Sequence, residues 1–148
     1  AVISQEGVNN QASIDQKGSG NEAVVTQRGW KGLGRSNEAS VQQETSNNIA
    51  VITQRGRSNR SVIKQKCGTG NVAGIRLRGD NNRTNLLQDG TGNEYILKFT
   101  GNGLGANSTH TVKQIGNQNT LKQVGVGSKP FDVQQRGNGM KVIIRHTP

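Results

Sequence analysis

The stretch Asn48-Ile49-Ala50-Val51-Ile52-Thr53-Gln54-Arg55-Gly56 decides the fold, because its spacing recurs from one end of the chain to the other. With Asn48 as position zero, Ala50 stands at plus two, Ile52 at plus four, Gln54 at plus six and Gly56 at plus eight. Residues two apart share one face of an extended strand, so Ala, Ile and Gln point the same way. Asn59 restarts the pattern after eleven residues. A fixed period dictates architecture and has to be settled before any other feature is read.

Outward from that stretch, the restarts fall on Asn10, Asn21, Asn37, Asn48, Asn59, Asn71, Asn82, Asn93, Ser108, Asn117, Lys129 and Met140. A first unit enters at plus two on Ala1, which makes thirteen. The plus-four column reads Ile3, Ile14, Val25, Val41, Ile52, Ile63, Ile75, Leu86, Leu97, Val112, Leu121, Val133 and Ile144. It is aliphatic throughout although only 29% of the chain is hydrophobic, so the column is a core and not an accident. At plus six stand Gln5, Gln16, Gln27, Gln43, Gln54, Gln65, Gln88, Gln114, Gln123 and Gln135, broken by Leu77, Phe99 and His146. Near Gly116 either Asn117 or Asn119 could anchor a unit; Asn117 puts Leu121 and Gln123 in their columns.

Seven extended residues in a unit of eleven leave about four for a turn, so each strand reverses and the next lies opposite it. Two units then form one rung of about twenty-two residues, and thirteen units form about six and a half rungs. Stacked at the ~4.7–4.8 Å strand spacing, each Asn lies over an Asn and each Gln over a Gln. A buried amide column is costly when half paired and cohesive when every member is paired. Ala at plus two lets two sheets approach closely, and Gly at plus eight suits a turn that needs positive φ. The fold class expected is all-β: a two-sheet β-solenoid of strand-turn-strand rungs, a single domain over 1–148.

The motif Asn-x-Ala-x-Ile/Val-x-Gln-x-Gly-x-x-Asn, carried by Asn21 to Gly29 and by Asn48 to Asn59, resembles the curlin repeat of bacterial curli fibres. The resemblance implies a secreted subunit that passes an outer-membrane pore unfolded and assembles with itself into extracellular amyloid. It also implies a second curlin subunit as partner. Within that family the bulk fibre subunit is expected, with the minor nucleator as the alternative, because the last unit, Met140 to Pro148, departs from the repeat.

Leu, Ile, Val and Phe make up only about a fifth of the chain, close to the level at which a charged chain stays disordered, so order is expected to need a template. The one cysteine, Cys67, excludes an internal disulfide and falls in a turn. No apolar run approaches the ~18–20 residues of a transmembrane helix. No signal peptide is visible, so a mature or trimmed secreted form is expected. Long turns are expected near 29–36, read as a tolerated insertion at a solenoid corner with a surface contact through Trp30 as the alternative, and near 101–107, read as projecting from an edge.

Formal charge is +10, which favours anionic polymers or surfaces, and equally keeps a sticky chain soluble. The outward plus-five column places Arg76, Lys98, Lys122 and Arg145 in successive odd units, a candidate stripe for extracellular DNA or anionic polysaccharide. No catalytic residue, cofactor site or metal site is expected: His110 and His146 fall in different columns and the acids are scattered. A polysaccharide-cleaving β-helix needs a wide core and an acid-rich cleft, which this short repeat lacks. A soluble solenoid adhesin is the remaining class, but Ala1 opens an uncapped rung, and open strand edges favour growth. Simple continuation of thirteen units would exchange the two sheets between successive subunits, unless one unit, that near Asn117, lies outside the stack.

Overall fold

The structure is a computed structural model that describes residues 1–29, 36–100, 108–126 and 130–146. Alternation between inward and outward side chains produces thirteen short strands, and no helix is present among the described residues. They are β1 (Val2–Glu6), β2 (Gln11–Gln16), β3 (Glu22–Arg28), β4 (Glu38–Gln43), β5 (Ile49–Arg55), β6 (Arg60–Lys66) and β7 (Val72–Arg78). Then follow β8 (Arg83–Asp89), β9 (Glu94–Thr100), β10 (Thr109–Ile115), β11 (Thr120–Val126), β12 (Phe131–Arg136) and β13 (Lys141–His146).

Odd strands form a seven-stranded sheet and even strands a six-stranded sheet, each in chain order and parallel throughout. The chain is therefore an all-β, two-sheet parallel β-solenoid. Equivalent residues of adjacent rungs lie 21 to 23 apart where no longer loop intervenes. The long turns expected at 29–36 and 101–107 fall, apart from Gly29 and Ser36, outside the described residues, and Trp30 falls there too.

Reversal within three residues sets the rest. After β5 the turn is Gly56-Arg57-Ser58, with Gly56 at φ 126 and Ser58 at φ 54. A Cβ on Gly56 would also run into the carbonyl oxygen of Gly79 in the next rung, so glycine is required there twice over. The core is one strip between the sheets, in which Val25, Val41, Ile52, Ile63, Ile75, Leu86, Leu97 and Val112 are buried.

One register differs from the expectation. Asn119, not Asn117, anchors the unit after β10, and β11 pairs Leu121 with Tyr95, Gln123 with Leu97 and Lys122 with Ile96. The cause is the turn. Gly116-Asn117-Gln118, with φ 107 at Gly116 and 56 at Gln118, repeats the Gly90-Thr91-Gly92 turn one rung away, whereas anchoring at Asn117 would leave too few residues to reverse. Leu121 is buried in the plus-two column, and Gln123 is buried in the aliphatic column between Leu97 and Ile144. This unit does not leave the stack: β11 is bonded to β9 and β13.

Candidate functional site

The anchoring asparagines form two side-chain columns, one per sheet corner. In one, Asn37 Nδ2 donates to Asn10 Oδ1 (3.2 Å), Asn59 to Asn37 (3.1 Å) and Asn82 to Asn59 (2.9 Å), and the Ser108 hydroxyl closes on Asn82 (2.6 Å). In the other, the Asn48 backbone N–H donates to Asn21 Oδ1 (2.9 Å), and Nδ2 of Asn71 and of Asn93 each reach the preceding Asn at 3.1 Å. Backbone N–H groups of Asn119 and Met140 then take Asn93 and Asn119 as acceptors. Each column also holds the turns: Asn59 Nδ2 donates to the Gly79 carbonyl at 2.7 Å and Asn71 Nδ2 to that of Gly90 at 2.7 Å. These groups are buried, so pairing them avoids the penalty of an orphaned amide.

The glutamines form one long and one short column. Gln16, Gln43, Gln65, Gln88 and Gln114 each donate from Nε2 to the Oε1 of the next glutamine at 2.6–2.9 Å, ending on Gln135, without a break from β2 to β12. On the odd sheet Gln5, Gln27 and Gln54 do the same at 2.8 and 2.9 Å, and then the column changes to Leu77, Phe99 and Gly125. Gln54 Nε2 turns across the core instead, to the Ser61 hydroxyl at 2.9 Å and the Glu38 carbonyl at 3.0 Å. Gln123 belongs to neither amide column, because the turn before β11 shifts it by two places.

The plus-six position of one sheet thus faces the plus-two position of the other. Where the odd sheet carries Phe99, the even sheet carries His110, with ring centroids 5.6 Å apart, and Phe131 lies 4.4 Å beyond His110 in its own column. Tyr95 is buried in the opposite seam; burial pushes its phenol well above the ordinary range, and its hydroxyl has no hydrogen-bond partner among the described residues.

Outer faces differ in charge. The stripe expected from Arg76, Lys98, Lys122 and Arg145 is not continuous: Arg76 and Lys98 are adjacent, but Val124 follows Lys98 and separates it from Arg145. Lys122 lies two places away and pairs with Glu94 at 3.6 Å. A column not foreseen stands beside it: Arg28, Arg55 and Arg78 stack at plus seven on β3, β5 and β7. The recurring Gln-Arg-Gly at 27–29 and 54–56 was the available signal. Arg28 is engaged by Glu6 at 3.3 Å, whereas Arg55, Arg76, Arg78 and Lys98 meet no carboxylate among the described residues. On the even sheet some cations sit beside acids, as in Arg60 with Glu38 (3.3 Å) and Lys66 with Glu44 (3.9 Å), while Arg83 stacks on Arg60 and Leu87 separates Lys64 from Lys113. A shallow hollow lined by Ser58, Arg60, Asn81, Asn82, Arg83 and Thr109 lies on that sheet.

Cys67 is exposed in the turn after β6 at φ 43; a hydrogen bond to Asp89 and the charge of that carboxylate push its thiol up. Among the described residues no group of His, Cys, Asp and Glu could hold a metal ion, and no helix is long and apolar enough to cross a membrane.

A parallel β-solenoid whose core is bound by in-register Asn and Gln columns defines a class of structural repeat protein. The comparison with known families narrows it: residues 1–29 and 34–66 match the Curlin associated repeat. Residues 1–66 thus carry the repeat of the curlin family, which is a structural repeat family and not an enzyme family. No curated protein matches the chain.

Proposed function

We propose that the chain is a structural subunit of an extracellular curli-like fibre, growing by addition of rungs along the solenoid axis. The observation that carries this reading is the burial gradient along one column. Ile3 on edge strand β1 is 47% exposed, whereas its neighbour Val25 in the next rung is 0% exposed. A rung is dry only when another lies on it, and a second copy offers the same Asn, Gln and aliphatic columns. Templating follows: an incoming chain pairs its strands with an exposed edge, and mispaired amides penalise a wrong register. Assembly in the biofilm matrix for adhesion and cohesion, passage through an outer-membrane pore and no catalytic activity of its own complete the proposal, on the strength of the family. The single-domain organisation over 1–148 belongs to it as well.

Bulk subunit is the role we assign, from the long run of repeats, which is close to ideal between Asn37 and Gly68. The nucleator is favoured by one feature, Met140 standing in the Asn column, where it offers a backbone N–H but no side-chain amide. Assembly of the purified chain followed by dye binding and fibre diffraction tests both. Long fibres with a meridional spacing of ~4.7–4.8 Å are expected. A chain that stays dispersed overturns the fibre reading; one that triggers a partner curlin at trace amounts yet makes no long fibres itself overturns the bulk role.

A further inference from the structure

We infer that the outer face of the odd-stranded sheet binds a linear carboxylated polysaccharide through Arg55, Arg76, Arg78 and Lys98. This inference does not rest on the fibre reading, since the four cations come together on β5, β7 and β9 of one folded molecule.

Three observations carry it. First, the cluster is unneutralised. Arg55 stacks on Arg78, and Arg76 on Lys98, in two neighbouring outward columns. The acids near this cluster are engaged or distant: Glu6 is held by Arg28, Glu94 by Lys122 and Asp80, in the turn beside Arg78, by Arg57 at 2.8 Å, and Glu22 lies at the far end of β3 from the plus-seven column. Stacked like charges repel, and an anionic ligand relieves that repulsion while releasing its own counterions. The even-stranded face carries cations too, but there Glu38 and Glu44 answer Arg60 and Lys66, Leu87 separates Lys64 from Lys113, and Arg83 stacks only on the already paired Arg60.

Second, the spacing is that of the strands. A polymer lying along the solenoid axis meets two cations ~4.8 Å apart in each of the two columns. A polysaccharide with one carboxylate per sugar can follow such a row. Duplex DNA advances one phosphate per ~3.4 Å on each strand and is convex, so it touches a flat sheet along a line and out of step. Third, the chemistry of the side chains favours planar acids. Three of the four are arginines, whose guanidinium fork takes a carboxylate by two parallel hydrogen bonds. The face has no exposed aromatic among the described residues on which bases of a single strand could stack.

The test uses the folded 148-residue chain on a surface, with alginate, a polyuronate, as the probe and neutral dextran as the blank. Alginate is expected to bind at low salt and to weaken steadily as sodium chloride is raised. Replacing Arg55, Arg76, Arg78 and Lys98 by Gln is expected to reduce affinity at least ten-fold and to flatten the salt dependence. The matched loss of charge on the other sheet, Arg60→Gln, Lys64→Gln, Arg83→Gln and Lys113→Gln, is expected to change affinity less than three-fold. Circular dichroism establishes that both variants keep the strand signal, and Arg55→Gln with Arg78→Gln alone serves should the fourfold variant fail to fold. Equal losses from the two faces overturn the inference, since net charge alone would then act. So does absence of alginate binding at low salt, or displacement of alginate by duplex DNA at equal charge.

Discussion

Two seams run the length of this solenoid, and they are filled differently. In one, the even-strand glutamines continue from Gln16 to Gln135 without a gap, facing Ala23, Ala50 and Ala73 and then Tyr95 and Leu121. In the other, Gln5, Gln27 and Gln54 give way to Leu77, Phe99 and Gly125, while the facing residues grow from Ala12, Ala39 and Ser61 to Thr84, His110 and Phe131. The contrast teaches that an amide column is cooperative: it can end once, against a substitute acceptor such as Ser61, but it cannot be interrupted cheaply. Where it ends, apolar and aromatic side chains replace it in neighbouring rungs together, so that no single amide is stranded between them.

The largest expected effect breaks the intact seam. Gln88→Leu takes an acceptor from Gln65 and leaves the Gln114 carbonyl oxygen without its donor, a cost on the order of 2–4 kcal/mol for buried polar groups. Gln54→Leu, at the end of the short column, is expected to cost about half as much; equal shifts in the denaturant midpoint would erase the distinction between the seams. An intermediate effect comes from Leu77→Gln, which offers Gln54 an acceptor but sets its own amide against Phe99, at roughly 1–3 kcal/mol. Adding Phe99→Gln extends the column, so the double variant should be more stable than the two single losses sum to, with a coupling of at least ~0.5 kcal/mol. The smallest effect is a gain. Tyr95→Phe removes a buried hydroxyl that has no partner among the described residues, and unfolding should show about 1 kcal/mol more stability.

Much of this was legible in the chain. The stretch from Asn48 to Gly56 states strand, inward face and turn together, and its recurrence fixes parallel stacking before any contact is known. The adjacent placement of Leu77 and Phe99 was equally readable, since odd units stack on odd units. Less readable was the unit at Asn119. Side-chain matching favours Asn117, but a backbone that must reverse in three residues outweighs one glutamine and one leucine in familiar columns. The charged face suffered from the same slip: Lys122 left the stripe and Val124 came between Lys98 and Arg145, whereas the Arg55–Arg78 column was legible in the recurring Arg-Gly and was not foreseen.

Sequence by itself determined the period, the residues that face inward, the two-sheet parallel architecture and the amide columns, because each of these follows from identical spacing repeated in one dimension. Tertiary structure alone decided which position of one sheet faces which of the other. It thereby decided why Gln54 ends on Ser61, why His110 sits beside Phe99, and where cations gather without acids. Those facts depend on contacts between strands far apart in the chain, and on turn geometry that hydrophobic spacing does not encode.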